Sequence, residues 1–187
     1  KTKYIYKNGE IIEWNDAYTH IVTHSLHYGS GIFEGIRVYK TEKKSAIFRL
    51  PEHIQRFIYS ANSIGIELQE SKEQLIEATI NIIRKNKLKE GYIRPLSIFG
   101  EDKMGLNPKG AKTDTYIICW PWGKYLDKDS VKVKISDFIR LHPKSVISGA
   151  KITGHYANSI YASLEAKKNN FDEALLLDFK GNIAEGP

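Results

Sequence analysis

Apolar positions along this chain recur with a period of two in some stretches and near 3.6 in others, and the changes of period outline an α/β (α+β) molecule. Residues 4–7 and 10–13 flank Asn8-Gly9, two residues that tolerate the positive φ of a tight primed turn, so the chain is expected to open with a hairpin. Strands are expected at 35–39 and 46–50. From Pro51, which suits a first helical turn, Ile54, Phe57, Ile58, Ala61 and Ile64 recur at helical spacing until Gly65. Ser71 and Gln74 have the spacing of a capping box, and Leu75, Ile76, Thr79, Ile82 and Ile83 continue as a second amphipathic face. Strands follow at 92–99 and 115–120. Residues 121–130 carry no period, which marks an interdomain connection, and alternation restarts with Val131, Val133 and Ile135. A small-residue segment at 148–154, a helix over 157–168, and strands at 173–179 and 182–185 complete the pattern.

Composition narrows the function classes. The 187 residues are 41% hydrophobic and 27% charged, as in ordinary globular proteins. The 28 Lys and Arg exceed the 22 Asp and Glu by six, and the charges are dispersed, which suits an anionic ligand. A basic module for nucleic acid or another anion would share that charge and the 11% aromatic content, but acidic residues are interspersed and no RNA-binding motif is present. No apolar run approaches the roughly 20 residues of a membrane span, and residues 1–10 lack a signal-peptide core, so the protein is expected in the cytosol. The lone Cys119, beside Ile117, Ile118 and Trp120, reads as a buried thiol. With Lys1 at one end and Glu185-Gly186-Pro187 at the other, the chain is expected to be part of a longer protein.

Several residues are candidates for chemistry. Lys151 lies in Ser148-Gly149-Ala150-Lys151-Ile152-Thr153-Gly154, where small neighbours leave space for a planar group. A lysine that attacks a carbonyl needs an uncharged amine, which partial desolvation favours; a solvated loop lysine is the plainer alternative. The segment from His27 to Arg37 holds three glycines, but not at dinucleotide-binding spacing, and an ordinary turn between strands explains it equally. Tyr92 and Arg94 fall on one strand face, where the arginine can grip a carboxylate in bidentate fashion or pair with a surface acid. Trp122 and Tyr125 flank a glycine and suit an apolar pocket or a domain interface. Arg56, off the apolar stripe of its helix, faces either a phosphate or water, and Glu185 is either the partner of a protonated ring nitrogen or a turn carboxylate. The six histidines show no metal-ligand spacing.

In order, Tyr28-x-x-x-x-Phe33-Glu34-Gly35-Ile36-Arg37, Arg49-x-x-x-His53-x-x-Arg56, Tyr92-Ile93-Arg94-Pro95, Trp122-Gly123-x-Tyr125, the Lys151 segment and Glu185-Gly186 resemble class IV aminotransferases of fold type IV. Phe33 to Arg37 and Tyr92 to Pro95 resemble the branched-chain amino acid members, and argue against the D-amino acid aminotransferases and aminodeoxychorismate lyases of the same fold. The resemblance implies a smaller α/β domain at 1–121, a connection at 122–130, and at 131–187 the first part of a larger domain that binds pyridoxal 5′-phosphate. It implies that Lys151 holds the cofactor covalently and moves the substrate Cα proton, that Arg56 binds the phosphate, that Tyr156 bonds the phenolic oxygen, and that Glu185 keeps the ring nitrogen protonated. Tyr28, Phe33, Tyr92, Trp122 and Tyr125 would line the side-chain pocket, and Arg94 would take the distal carboxylate of glutamate. Amino acid and 2-oxo acid substrates and a homodimer are implied as partners, with no nucleic acid and no membrane.

Overall fold

The computed structural model describes residues 1–42, 44–123 and 130–187. The chain divides into two compact units, Lys1–Tyr125 with Ala150–Thr153, and Leu126–Gly149 with Gly154–Pro187. Among the described residues no helix is long and apolar enough to cross a membrane.

The first unit contains β1 (Tyr4–Lys7), β2 (Glu10–Glu13), the short helix α1 (His24–Tyr28), β3 (Gly31–Phe33), β4 (Ile36–Lys40) and β5 (Ser45–Ile47). Helices α2 (Leu50–Ile64) and α3 (Lys72–Lys85) and strands β6 (Gly91–Phe99) and β7 (Thr113–Trp120) follow. The strands form one antiparallel sheet in the order β2-β1-β7-β6-β4-β5, with β3 also on β6. The opening hairpin forms at the expected residues, with Asn8 at φ 46° and Gly9 at φ 94°. Ile54, Phe57 and Ala61 of α2, and Leu75, Ile82 and Ile83 of α3, pack with Ile36, Val38, Ile93, Ile117 and Cys119 of the sheet as one core. The Ser71 hydroxyl accepts the Gln74 N–H at 3.2 Å while the Gln74 side chain accepts the Ser71 N–H at 2.8 Å, completing the expected capping box of α3.

Two local expectations change. The strand expected at 46–50 ends at Ile47, because Arg49 turns the chain at φ 47° and Leu50 already begins α2. Within the glycine-rich stretch the chain forms α1, closed by Gly29 at φ 59°, and then β3; three- and five-residue elements are too short to show a period.

The second unit holds β8 (Val133–Ile135), α4 (Tyr156–Lys168), β9 (Glu173–Leu177) and β10 (Ile183–Glu185). β8 is parallel to β9, and β10 is antiparallel to it. Ala162 and Ala166 of α4 pack on Ala174 and Leu176 of β9.

A break in the sheet positions the site. β3 pairs with β6 up to Phe33–Leu96 and β4 resumes at Ile36–Ile93, so Glu34 and Gly35 leave the ladder opposite Arg94 and Pro95. The Pro95 carbonyl accepts the Glu34 N–H at 2.9 Å, so the side of β6 on which Pro95 lacks an N–H is the side of the break. Proline, which cannot donate to a ladder, is thereby accommodated inside an inner strand. Gly35 is required here for space: a Cβ would lie 1.9 Å from the Tyr92 hydroxyl.

Glu34 is fully buried, and a carboxylate without water needs donors. The side-chain donors come from α2: His53 Nδ1 donates at 2.8 Å, Arg56 Nη2 donates at 2.7 Å, and Arg56 Nε donates to the second oxygen, while the Gly35 N–H adds a longer bond at 3.3 Å. Burial pushes the Glu34 carboxyl up, but the hydrogen bonds and charges of Arg56 and His53 outweigh it and hold the group below its ordinary value of 4.5. A folded-state value below the unfolded one means that the clamp's stabilisation is fully present above pH 4.5 and is lost as the pH falls through the folded value. The difference in urea midpoint between the parent protein and Glu34→Gln is therefore expected to stay constant above that pH and to shrink below it. Ser71→Ala is expected to cost about 1 kcal/mol in the same experiment, from the lost cap of α3.

Candidate active site

Lys151 lies on the first unit, pinned by its backbone. Its N–H donates to Ser60 Oγ at 2.9 Å, its carbonyl accepts the Phe33 N–H at 3.0 Å, and Ile152 forms a β-bridge with Ile32. Thr153 Oγ1 then donates to the Gly29 carbonyl at 2.7 Å and accepts the Gly31 N–H at 3.0 Å. Three consecutive residues are thus zipped along β3. The Lys151 amine stands 4.8 Å from the centroid of the Phe33 ring.

Arg94 lies against the same ring, with Cζ 4.4 Å from the Phe33 centroid, 5.3 Å from that of Tyr92 and 5.9 Å from that of Trp120. Tyr92 and Trp122 are in edge contact at 4.9 Å, and Trp120 stacks on Trp122 at 6.0 Å. The expected shared face of Tyr92 and Arg94 is present, and an Arg94 N–H reaches the Tyr92 hydroxyl at 3.4 Å. Arg94 Nε is buried without a hydrogen-bond partner, and among the described residues no carboxylate forms an ion pair with Arg94. Aromatic faces partly satisfy a cation, but a buried N–H left without an acceptor is costly. This guanidinium is suited to an anion brought from outside.

Arg56 is joined to the same structure through its helix. Its side chain is half-exposed beyond the Glu34 clamp, and its carbonyl accepts the Ser60 hydroxyl at 2.9 Å. Phe33, Arg56, Tyr92, Arg94, Trp122 and Lys151 therefore belong to one continuous set of contacts with Glu34 and Ser60. Tyr28 has other partners: its hydroxyl donates to the Met104 carbonyl at 2.7 Å, and its ring packs on His24 at 4.6 Å. Arg37 donates to the Gly123 carbonyl at 2.9 Å. Tyr125 lies outside the described residues.

In the second unit, Tyr156 opens α4 and Glu185 ends β10. Glu185 accepts a hydrogen bond from Arg140 Nε, and Arg140 also reaches the Asn158 side chain at 3.5 Å. Burial, with Arg140 as a lesser cause, holds the His155 imidazole below its ordinary value. Cys119 is buried as expected, and desolvation pushes its thiol up to about 11, which leaves it inert at neutral pH. Among the described residues no group of three or more His, Cys, Asp or Glu can hold a metal.

Three contributors escaped the sequence reading. Glu34 passed as one letter of a motif, although a carboxylate flanked by Phe33 and Gly35 and a His53/Arg56 pair three apart on a helix are complementary charges. Ser60, one helical turn beyond Arg56, carries no signal as a residue type. Trp120 was visible only as a neighbour of Cys119, and its place opposite Tyr92 depends on strand register.

The family described as amino-transferase class IV matches residues 31–187. The branched-chain-amino-acid aminotransferase of Pseudomonas aeruginosa is 41% identical over 186 residues, which cover 97% of this chain and 61% of that protein. The crystal structure of the branched-chain amino acid aminotransferase of Escherichia coli matches at TM-score 0.96 and 39% identity, covering 100% of this chain and 63% of that one. The crystal structure of the branched-chain amino acid aminotransferase of Thermobaculum terrenum, in its PLP-bound holo-form, matches at TM-score 0.89 and 30% identity, covering 99% and 62%. The chain spans about three-fifths of the length of these relatives. With its pinned lysine, its ring-stacked arginine and a family match over most of its length, the chain belongs to the class IV aminotransferases.

Proposed function

We propose that the protein carrying this chain transfers the amino group between leucine, isoleucine or valine and 2-oxoglutarate, using pyridoxal 5′-phosphate held on Lys151. The observation that carries this reading is the pair of nitrogen groups on one ring: the Lys151 amine and the Arg94 guanidinium both lie against Phe33, at 4.8 Å and 4.4 Å. Amino transfer to a dicarboxylate needs both, an amine that can bond covalently and move a proton, and a fixed cation for the second carboxylate. The donor set fits the cofactor: an amine for an aldehyde, and in Arg56 a guanidinium for a phosphate.

When bound, pyridoxal phosphate supplies an aldehyde for the substrate amine and a ring that accepts electrons as the Cα–H bond breaks. Lys151 would hold the cofactor covalently, and its Nζ, when free, would take up the proton from the substrate Cα. Arg56, held by Glu34, binds phosphate. Tyr156 is assigned to the phenolic oxygen. Glu185 is assigned to the protonated ring nitrogen, a role in which it competes with its bond to Arg140. Phe33, Tyr92 and Trp122 are assigned to the wall for the alkyl side chain. The same wall serves glutamate because the aromatic faces soften the Arg94 charge without neutralising it, so alkyl and carboxylate groups are both tolerated beside it. We assign residues 1–121 and 131–187 to the smaller domain and the start of the larger one, and propose a homodimer.

Borohydride reduction of the complete protein with pyridoxal phosphate, followed by peptide mapping, is expected to place a pyridoxyl group on Lys151 and to lose it in Lys151→Ala. Absence of transamination with all three branched-chain substrates would sink the substrate assignment. Arg94→Ala is expected to raise the KM for 2-oxoglutarate by about ten- to a hundredfold, from the loss of a charged hydrogen bond, while the KM for leucine changes far less. Equal effects on both substrates would remove Arg94 from its role.

A further inference from the structure

One face of α2 is polar in a helix whose other face fills the core. His53, Arg56 and Ser60 fall at i, i+3 and i+7, within about 60° of one another around the axis, while Ile54, Phe57 and Ala61 are fully buried in the core. His53 and Arg56 hold Glu34. Ser60, also fully buried, points its hydroxyl at Lys151. The direction of its two bonds is fixed, because the Lys151 N–H can only donate and the Arg56 carbonyl can only accept. Ser60 Oγ therefore accepts from Lys151 at 2.9 Å and donates to Arg56 at 2.9 Å.

We propose that Ser60 is a positioning residue for Lys151: through its hydroxyl, the helix that carries the phosphate-binding arginine also sets where the lysine backbone lies, so the amine and the guanidinium are referenced to one rigid element. This rests on Lys151 being the lysine that holds the cofactor. The ties from Phe33, Ile32 and Gly31 run to β3, and that from Gly29 runs to the end of α1. Ser60 bonds both the Lys151 N–H and the Arg56 carbonyl, and so relates the segment to the helix. A cofactor bonded covalently at one end and ionically at the other tolerates little drift between the two anchors.

Buried helix hydroxyls that bond the carbonyl one turn back also occur for purely structural reasons, and Thr79 provides the matched control. It is fully buried on α3 and donates to the Leu75 carbonyl at 2.7 Å, outside the site. In the complete protein, Ser60→Ala and Thr79→Val would be compared by the melting temperature without cofactor. The comparison would include the pyridoxal phosphate concentration that gives half-maximal borohydride labelling of Lys151, and the pH midpoint of the bound cofactor's absorbance. Ser60→Ala is expected to raise the half-labelling concentration about tenfold, the size of one lost buried hydrogen bond, and to shift the pH midpoint. Thr79→Val should lower the melting temperature with neither change. Ser60→Cys keeps the branching of the side chain, with a slightly larger atom that is only a weak acceptor; it is expected to move both readouts in the same direction and serves where the alanine variant folds poorly. Parent-like labelling and pH midpoint in either folded Ser60 variant would overturn the proposal, as would a change in those readouts in Thr79→Val equal to that in Ser60→Ala. A parent protein that labels Lys151 while Ser60 variants are unchanged refutes this inference alone, whereas a parent that never labels Lys151 refutes the proposed function with it.

Discussion

The buried Glu34 carboxylate is the constraint around which the first unit is arranged. An ionised group at zero exposure is stable only with donors in place, and both side-chain donors come from α2. The helix is therefore fixed in rotation as well as in distance: its apolar stripe enters the core while its polar stripe meets the break between β3 and β4. The break follows from the same place in the sequence, where Gly35 leaves room for the Tyr92 hydroxyl and Pro95 has no N–H to offer. One acidic side chain thus ties together the helix with the candidate phosphate ligand, the strand with the aromatic ring, and the face with Arg94.

The parts of the fold legible in the sequence were those whose signals are local. Asn8-Gly9 encodes its turn in two residues, and Ser71 with Gln74 encodes a helix start in four. The periodic runs of α2 and α3 are long enough to average over exceptions. Where a few residues set a boundary, the linear pattern misplaces it: Ala46, Phe48 and Leu50 alternate as in a strand, yet the chain turns there because Arg49 adopts a left-handed conformation that no residue type announces. The segment from His24 to Phe33 is built by tertiary contacts, including the Thr153 hydroxyl far along the chain, and carries almost no periodic signal.

For the site, residue types that chemistry demands stood out, and residues that serve them did not. Lys151, Arg56 and Arg94 drew notice because an amine or a guanidinium in an unusual setting is informative. Ser60 is a common residue in a helix, and only the three-dimensional path from Lys151 to Arg56 gives its hydroxyl a meaning. Trp120 likewise joins the aromatic wall through its register partner Tyr92. Relationships between elements are what a linear reading lacks, and here they are the substance of the site.

The zipper between residues 151–153 and β3 also bears on how the molecule is made. Ser60 and Lys151 are 91 residues apart and Gly31 and Thr153 are 122 apart, contacts of high order for a unit of this size. A ribosome adding about 5–20 residues per second takes roughly 5–20 s to travel from Ser60 to Lys151. Through that interval β3 presents an unpaired edge and the Ser60 oxygen lacks the N–H it will accept from, so the nascent chain carries a seat for its lysine before the lysine has been synthesised.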